Sequence, residues 1–503
     1  MTLLIKNVRL LGSDLGPEAK ADVFVSGENI SAIGDFSRKS ADEVIDGQGG
    51  YLAPGFIDVD STSDHYLTLF DNPGQEDFLK QGVTTIVGGH CGASLAPLLY
   101  GSLESLRKWA DIDKVNVDWH TVGEFLERLA TRPLGVNFAT FAGHATIRRA
   151  ILGEDVRDLT KNETDVFVSV LQRAIAEGAL GLSTGLEYVH ARGTSYQELL
   201  TLAKAVRAAG GIHSTHLRNT SDGIEEGLQE AIKLATESKA SMLVSHFMPF
   251  LSSGKQYKRA AGLLDDLPKD ANFHVDMHPW GGSMLPFYRL LPHWAQTGTL
   301  AIMAKSVKDE WLSKRILKEL PYFAPPDFVV AEAPGENILV GETLEGFMQK
   351  YEIKDAREAL LKLLALTNLR GVAYVQNVDR DLADKMLAHP RTLIASHAPA
   401  FLRRPHEKPF VSPRATDTFP EFLRRVAAKK LLSMPEAIGK ITAAPAAKFG
   451  LAKRGWVREG YLADLVVFRA FEVRTVVVNG IVAVRDGSAT GARSGRPLLH
   501  RPT

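Results

Sequence analysis

Residues 210–246 read GGIHSTHLRNTSDGIEEGLQEAIKLATESKASMLVSH, and the succession of patterns in this stretch decides the fold. It opens and closes with a short apolar run that ends in a histidine, first His216 and then His246. Between them Ile224, Leu228 and Ile232 recur every four residues, as one buried face of a helix requires. The unit reads strand, helix, strand.

The alternation continues on both sides. Before this stretch stand GFIDVD (55–60), TTIVGG (84–89), NFATFAG (137–143) and ALGLSTG (179–185); after it come NFHVDMH (272–278) and TLIASH (392–397). With GGIHSTH and SMLVSH these make eight strand-like runs. Several intervening segments carry helix signals. Ser195 and Glu198 have capping-box spacing ahead of apolar Leu199, Leu202, Ala203 and Val206, and Gly210–Gly211 ends the pattern. Thr121 and Glu124 repeat that spacing before Phe125, Leu126 and Leu129. Eightfold strand–helix alternation predicts an α/β fold, a (β/α)8 TIM-type barrel over residues 53–440.

The chain ends differ from the middle. LLIKNVRLL (3–11), DVFVSG (22–27) and ISAIG (30–34) are short strand patterns broken by Gly, Asn and Asp, and ADLVVF (463–468), VRTVVVNG (473–480) and IVAVRDG (481–487) repeat that style. Asn479–Gly480 is a hairpin turn signal. Residues 1–52 and 441–503 are therefore assigned to one small β-sandwich domain built from both ends of the chain. Residues from about 280 to 389 separate the last two strand runs. That length exceeds a crossover helix and predicts an insertion or lid beside the barrel mouth. Pro325–Pro326 and residues 398–413 read as loop.

Composition narrows the function. Among 503 residues, Lys plus Arg and Asp plus Glu each total 59, a formal net charge of zero. Such a balance gives no electrostatic reason to expect a nucleic acid or an anionic membrane as partner. No run of 18 apolar residues occurs, so no transmembrane helix is expected. MTLLIKNVRLLGSD at 1–14 does not read as a signal peptide. Cys91 is the only cysteine, which excludes an intrachain disulfide and fits a reducing cytoplasm.

The polar residues sit where the strand runs end. TTIVGG runs into His90 and Cys91, NFATFAG into His144, and the later runs end at His216, His246, His278 and His397. A barrel gathers these C-terminal strand ends on one face, where sites of this architecture lie. Singly, a buried cysteine is a small hydrophobe and a strand-end histidine a satisfied polar group. One thiol and several imidazoles gathered together form a metal-site composition, and the mixture suits zinc.

The chain also resembles a known family. APGFID (53–58), QGVTTIVGGHCGASLAPL (81–98), GHATIR (143–148), GALGLSTGLEY (178–188), GGIHSTHLRN (210–219) and SHFMP (245–249) are similar to the amidohydrolase superfamily, and within it to the N-acyl-D-amino-acid deacylases, or D-aminoacylases. GETL (341–344), HPRTLIAS (389–396) and PRATDTFP (413–420) continue the similarity over almost the whole chain. The resemblance implies a tightly held zinc on Cys91, His216 and His246 with an open coordination position, and one ion per chain is expected because the first-strand His-x-His that supplies a second, weaker metal in the family is missing. It also implies that Arg414, Tyr188 and Ser283 bind substrate. His278, with Asp276 and Trp280 in DMHPW, is assigned to the pocket wall, while His144 and Arg148 support the site from behind. His90 reads as a loop histidine, and His406 with Arg403–Arg404 as a solvated loop near the mouth.

Three family positions differ. A first-strand His-x-His is replaced by Asp60–Ser61–Thr62, the eighth-strand aspartate after a serine by His397 after Ser396, and a substrate-binding lysine by Met248. The expected function is zinc-dependent hydrolysis of the C–N bond of an N-acyl amino acid or related amide, a small-molecule substrate. His397, with a reference pKa of about 6.5, then stands in as acid/base, and Asp60 orients it or the attacking water. Two alternatives stay open: diverged lyase or acyl-transfer chemistry on the same zinc barrel, and an inactive homologue that binds a ligand or partner.

Overall fold

A computed structural model describes the protein except at residues 37, 108, 111, 113–114, 154, 189–190, 402–409 and 501–503. Eight parallel strands coincide with the eight apolar runs: Phe56–Asp58, Val83–Gly88, Asn137–Thr140 (extended by Ala142–Gly143), Gly181–Gly185, Ile212–His216, Ser241–Ser245, Phe273–Met277 and Thr392–Ile394. These strands are buried on both faces, which is why they read as continuous apolar runs rather than as alternation. Each pairs with the next in chain order. At the break in the third strand, the Phe141 N–H still donates to Gly88 O at 3.0 Å. Main-chain bonds from His397 N to Asp60 O, 2.9 Å, and from Thr62 N to Ala398 O, 3.1 Å, join the end of the eighth strand to the first. This is the strand order of a TIM barrel.

The helices form on the faces that the sequence marks. Ile224–Ser238 buries Ile224, Leu228, Ala231 and Leu234. Ile232, expected on that face, is only half-buried, because the helical twist carries it about 80° round from Ile224. Thr121 and Glu124 make the reciprocal capping box. Ser195 accepts from Glu198 N at 3.3 Å, but the Glu198 carboxylate does not return the bond. It takes His144 and Arg148 instead.

Between the seventh and eighth barrel strands lies a three-stranded antiparallel sheet, Gly282–Pro286, Val372–Gln376 and Phe328–Glu332, with Val372–Gln376 central. It has a hydrophobic core of its own, including Phe287, Phe328, Phe347, Leu360 and Val375. The chain ends meet in one continuous nine-stranded sheet. Tyr51–Pro54 makes the join, parallel to Thr2–Leu10 and antiparallel to Leu465–Arg469. One face of this sheet (Ile5, Leu52, Leu465, Val467, Val477) forms a core shared by both halves. The other (Val466, Phe468, Val476, Val478) packs into the barrel core, where Phe468 meets Phe56 edge-on. Asn479 and Gly480 both have positive φ, 47° and 82°, between the paired strands Glu472–Val478 and Ile481–Arg485, as a tight hairpin requires. No helix among the described residues is long and apolar enough to cross a membrane.

Candidate metal centre

Cys91 and His246 stand 155 residues apart in sequence, yet Cys91 Sγ lies 3.3 Å from His246 Nε2. His216 Nδ1 approaches the same sulfur at 3.7 Å. The donor atoms of these three residues lie within 4.8 Å of one another, close enough for one ion to touch all of them. The backbone makes this possible at a cost. Cys91, His246 and His397 have φ of 55°, 58° and 48°, in the left-handed region that non-glycine residues avoid. That conformation turns each chain sharply as its strand ends and brings the side chain over the barrel mouth. Gly185 allows the close approach, since a Cβ there would sit 2.2 Å from the Cys91 carbonyl oxygen. Burial, reinforced by His397 and His216, holds His246 well below the ordinary histidine pKa, in the neutral form that binds metals.

Asp60 and His397 meet beside this group. With His246 they form a second set of donor atoms within 4.8 Å, and the His246 and His397 ring centroids are 3.9 Å apart. The family pattern puts histidine where this chain has Asp60, and aspartate where it has His397. The two residue types are exchanged between the first and eighth strands, so one carboxylate and one imidazole still stand at this spot. Asp60 is fully buried; the Ser245 side chain lies beside its carboxylate, but no hydrogen bond of normal geometry reaches either oxygen among the described residues. His90 Nδ1 and His246 Nε2 stand 3.6 and 3.7 Å away. Burial first, then the charges of Asp276 and Asp58, push the Asp60 carboxyl well above the usual range. A buried carboxylate so weakly hydrogen-bonded is an arrangement that a bound cation relieves.

The expectation that Asp60 orients His397 needs correction. His397 Nε2 lies 2.6 Å from Asp276 Oδ1, which also accepts the His246 N–H at 2.9 Å. Asp60 instead accepts the His397 main-chain N–H on its carbonyl and turns its carboxylate toward His90 and His246. Asp276, on the seventh strand, is therefore the positioning partner of His397. Burial holds the His397 imidazole below its ordinary pKa, and Asp276 opposes that shift.

His216 is held from behind. Its Nε2 lies 2.8 Å from Glu187 Oε2, which also accepts from the Thr220 hydroxyl at 2.9 Å, while Arg289 from the insertion forms an ion pair with the other oxygen. Burial would raise the Glu187 carboxyl, but Arg289, His216 and Thr220 outweigh it and hold it down to about 2. This anion fixes the His216 ring with Nδ1 toward Cys91 and raises its basicity as a ligand. Glu187→Gln is expected to weaken zinc binding by roughly 10–100-fold, read by competition with a chromophoric chelator. An unchanged affinity would remove Glu187 from metal support.

The other residues singled out in the sequence are placed as follows. The Tyr188 ring centroid lies 5.1 Å from that of His216; burial and then the nearby Cys91 push its phenol well above the ordinary value. His278 packs 5.4 Å from His397, and its Nδ1 accepts the Trp280 N–H. Arg414 is buried, donates to Ser396 O at 3.0 Å and bonds the His397 carbonyl, so it braces the end of the eighth strand. Ser283 lies in the insertion sheet, where its hydroxyl donates to Asn377 at 2.8 Å. Met248 is part of the main apolar core. His144 and Arg148 both bind Glu198, at 2.9 and 3.2 Å. His90 follows the second strand in a loop, as expected, but it is fully buried there, with Ser214 Oγ 3.1 Å from its Nδ1. His406 and Arg403–Arg404 lie outside the described residues.

Comparisons with known proteins place the chain among its relatives. No protein-family model matches the chain. It is 30% identical to the N-acyl-D-aspartate deacylase of Alcaligenes xylosoxydans xylosoxydans, covering 98% of this chain and 94% of that protein. The chain belongs to the D-aminoacylase family. The D-aminoacylase of the same organism is 29% identical over 99% of this chain and 97% of its own. A crystal structure of D-aminoacylase, described as defining a novel subset of amidohydrolases, superposes with a TM-score of 0.79 at 27% identity, over 99% of both chains. The fold is accordingly that of the D-aminoacylase amidohydrolases, a TIM barrel with a small domain.

Within this D-aminoacylase relative, the residues present suit a zinc ion. The donor set is one thiol and two imidazoles, a combination that soft and borderline metals prefer, and the buried Asp60 carboxylate stands beside it. Sequence reasoning misses Glu187 and undervalues Asp276 and His90. Glu187 lies next to Tyr188 in the GLEY turn, directly after a barrel strand, and that position is a signal that points to it.

Proposed function

We propose that this chain hydrolyses the amide bond of an N-acyl amino acid with a single zinc ion held by Cys91, His216 and His246. The observation that carries the reading is the convergence of that thiol and two imidazoles next to the His397–Asp276 pair. A zinc ion there would supply Lewis-acid polarisation of a carbonyl and acidification of a water. His397 moves the proton at its ring, with Asp276 holding Nε2, and Arg414, Tyr188, His278 and Ser283 form the substrate pocket around it. Sharing of His246 between the two donor sets supports one ion rather than two, since its Nε2 lies within 3.7 Å of both Cys91 Sγ and Asp60 Oδ2. The proposal includes a (β/α)8 barrel over residues 53–440 with its insertion at about 280–389, a small β domain from residues 1–52 and 441–503 built on one continuous sheet rather than the expected two-sheet sandwich, and a cytoplasmic setting.

Asp60 favours a second reading. Joined to the three ligands it would close the coordination sphere, as in a structural site with four protein ligands, and the chain would be an inactive homologue. Metal analysis of chelator-treated and zinc-reconstituted protein, with hydrolysis assays on N-acyl D- and L-amino acids, separates the two. One zinc per chain with zinc-dependent turnover is expected. Two ions near Cys91 would overturn the single-metal assignment, and one zinc without turnover on any amide would favour the inactive reading.

A further inference from the structure

The insertion sheet carries a carboxylate that the proposed zinc chemistry does not use. Phe328 and Val330 point into the insertion's own core, together with Ala373 and Val375 of the central strand. Strict alternation would send Glu332 to that apolar face. The register prevents it: Val330 pairs with Ala373, but Glu332 pairs with Val372. The extra residue is a β-bulge, a device that re-aims a side chain. It turns Glu332 to the opposite face, the one that carries Val329, Tyr374 and Met284.

The Tyr374 ring on that face packs 5.4 Å from Phe410, three residues before the helix Pro413–Lys429 that carries Arg414, which bonds the His397 carbonyl. The charge of Glu332 acts on Tyr66, which follows the first barrel strand, and both Tyr66 and Tyr374 act on the buried Arg414. Glu332 is partly accessible, and no hydrogen bond or ion pair engages its carboxylate among the described residues. Burial alone raises its pKa to about 7. A carboxylate without an ion-pair partner, acting on Tyr66 and sharing a sheet face with Tyr374, Val329 and Met284, is a setting that favours an organic cation, because the nearby Arg414 guanidinium is already engaged by the Ser396 and His397 carbonyls.

We propose that Glu332 determines specificity by taking a cationic substituent, an ammonium or guanidinium group, on the side chain of the substrate. The inference rests on the amide-hydrolase reading for its parent substrate class.

The test uses the zinc-loaded full chain with N-acetyl-lysine, N-acetyl-arginine and N-acetyl-leucine as both enantiomers, in the wild type and in Glu332→Gln. A preference of about tenfold or more in kcat/KM for the basic substrates is expected, the size of one favourable charge contact. Glu332→Gln should abolish that preference while leaving N-acetyl-leucine unchanged. Equal or better turnover of N-acetyl-leucine by the wild type, or a variant that lowers all three alike, overturns the proposal. If no amide is hydrolysed, the parent reading has failed, and calorimetric binding of N-acetyl-lysine against N-acetyl-leucine decides the rest. Tighter binding of lysine that Glu332→Gln removes keeps the cation subsite; equal binding, or none, sinks it.

Discussion

Cys91→Ala is expected to lose the zinc ion on dialysis and, with it, all measurable turnover. Cys91 carries the only thiol in the protein, and its sulfur lies close to both imidazoles that complete the set. Removing a direct ligand should cost more than the roughly 10–100-fold in affinity that loss of an outer hydrogen-bond partner costs. The fold should survive, because the lost sulfur leaves a small cavity and alanine follows the same backbone with little added strain. The metal-free wild type and the metal-free variant should therefore melt at similar temperatures, with added zinc stabilising only the wild type, since a ligand stabilises the state that binds it. A variant that keeps one zinc per chain would move the ion to the group formed by Asp60, His246 and His397. The reading of Cys91 as principal ligand would then be wrong.

Much of this centre is legible in the order of residues along the chain. The apolar runs ending at His216, His246 and His397 are barrel strands that end at, one residue before and three residues before these histidines, and the barrel carries those ends to one face. Spacing within a helix is equally readable, as Thr121 with Glu124 shows. Contacts between distant elements are not. Asp276 and His397 are 121 residues apart, and only the adjacency of the seventh and eighth strands joins them. Arg289 reaches Glu187 from the insertion, whose internal sheet has no periodic signal strong enough to place its side chains. The bulge before Glu332 is invisible for a further reason. Whether one residue or two oppose a partner depends on the partner strand, and a single strand's sequence does not contain that information. His90 reads as a loop residue and lies in a loop, but Gly89, with φ of 76°, turns the chain there and the ring is buried against Phe141, which the sequence does not reveal.

His397→Asn is expected to reduce turnover by roughly 10²–10⁴-fold, the usual contribution of a positioned proton-transfer group, while the protein keeps its zinc. Both parts follow from the geometry. His397 lies outside the Cys91, His216 and His246 donor set but packs against His246, so its loss removes a proton carrier at the mouth without removing one of those ligands. A merely structural role for His397 would also lower activity, and a second substitution separates the two. The φ of 48° at this position suits glycine, so His397→Gly leaves the backbone unstrained and opens a space the size of the lost ring beside Asp276. Imidazole added to His397→Gly should restore part of kcat with saturation, because Asp276 can hold the added base as it holds His397 Nε2. Full activity in His397→Asn would exclude the side chain from proton transfer. Asp60, the carboxyl group of that cluster, would then be the group to substitute next.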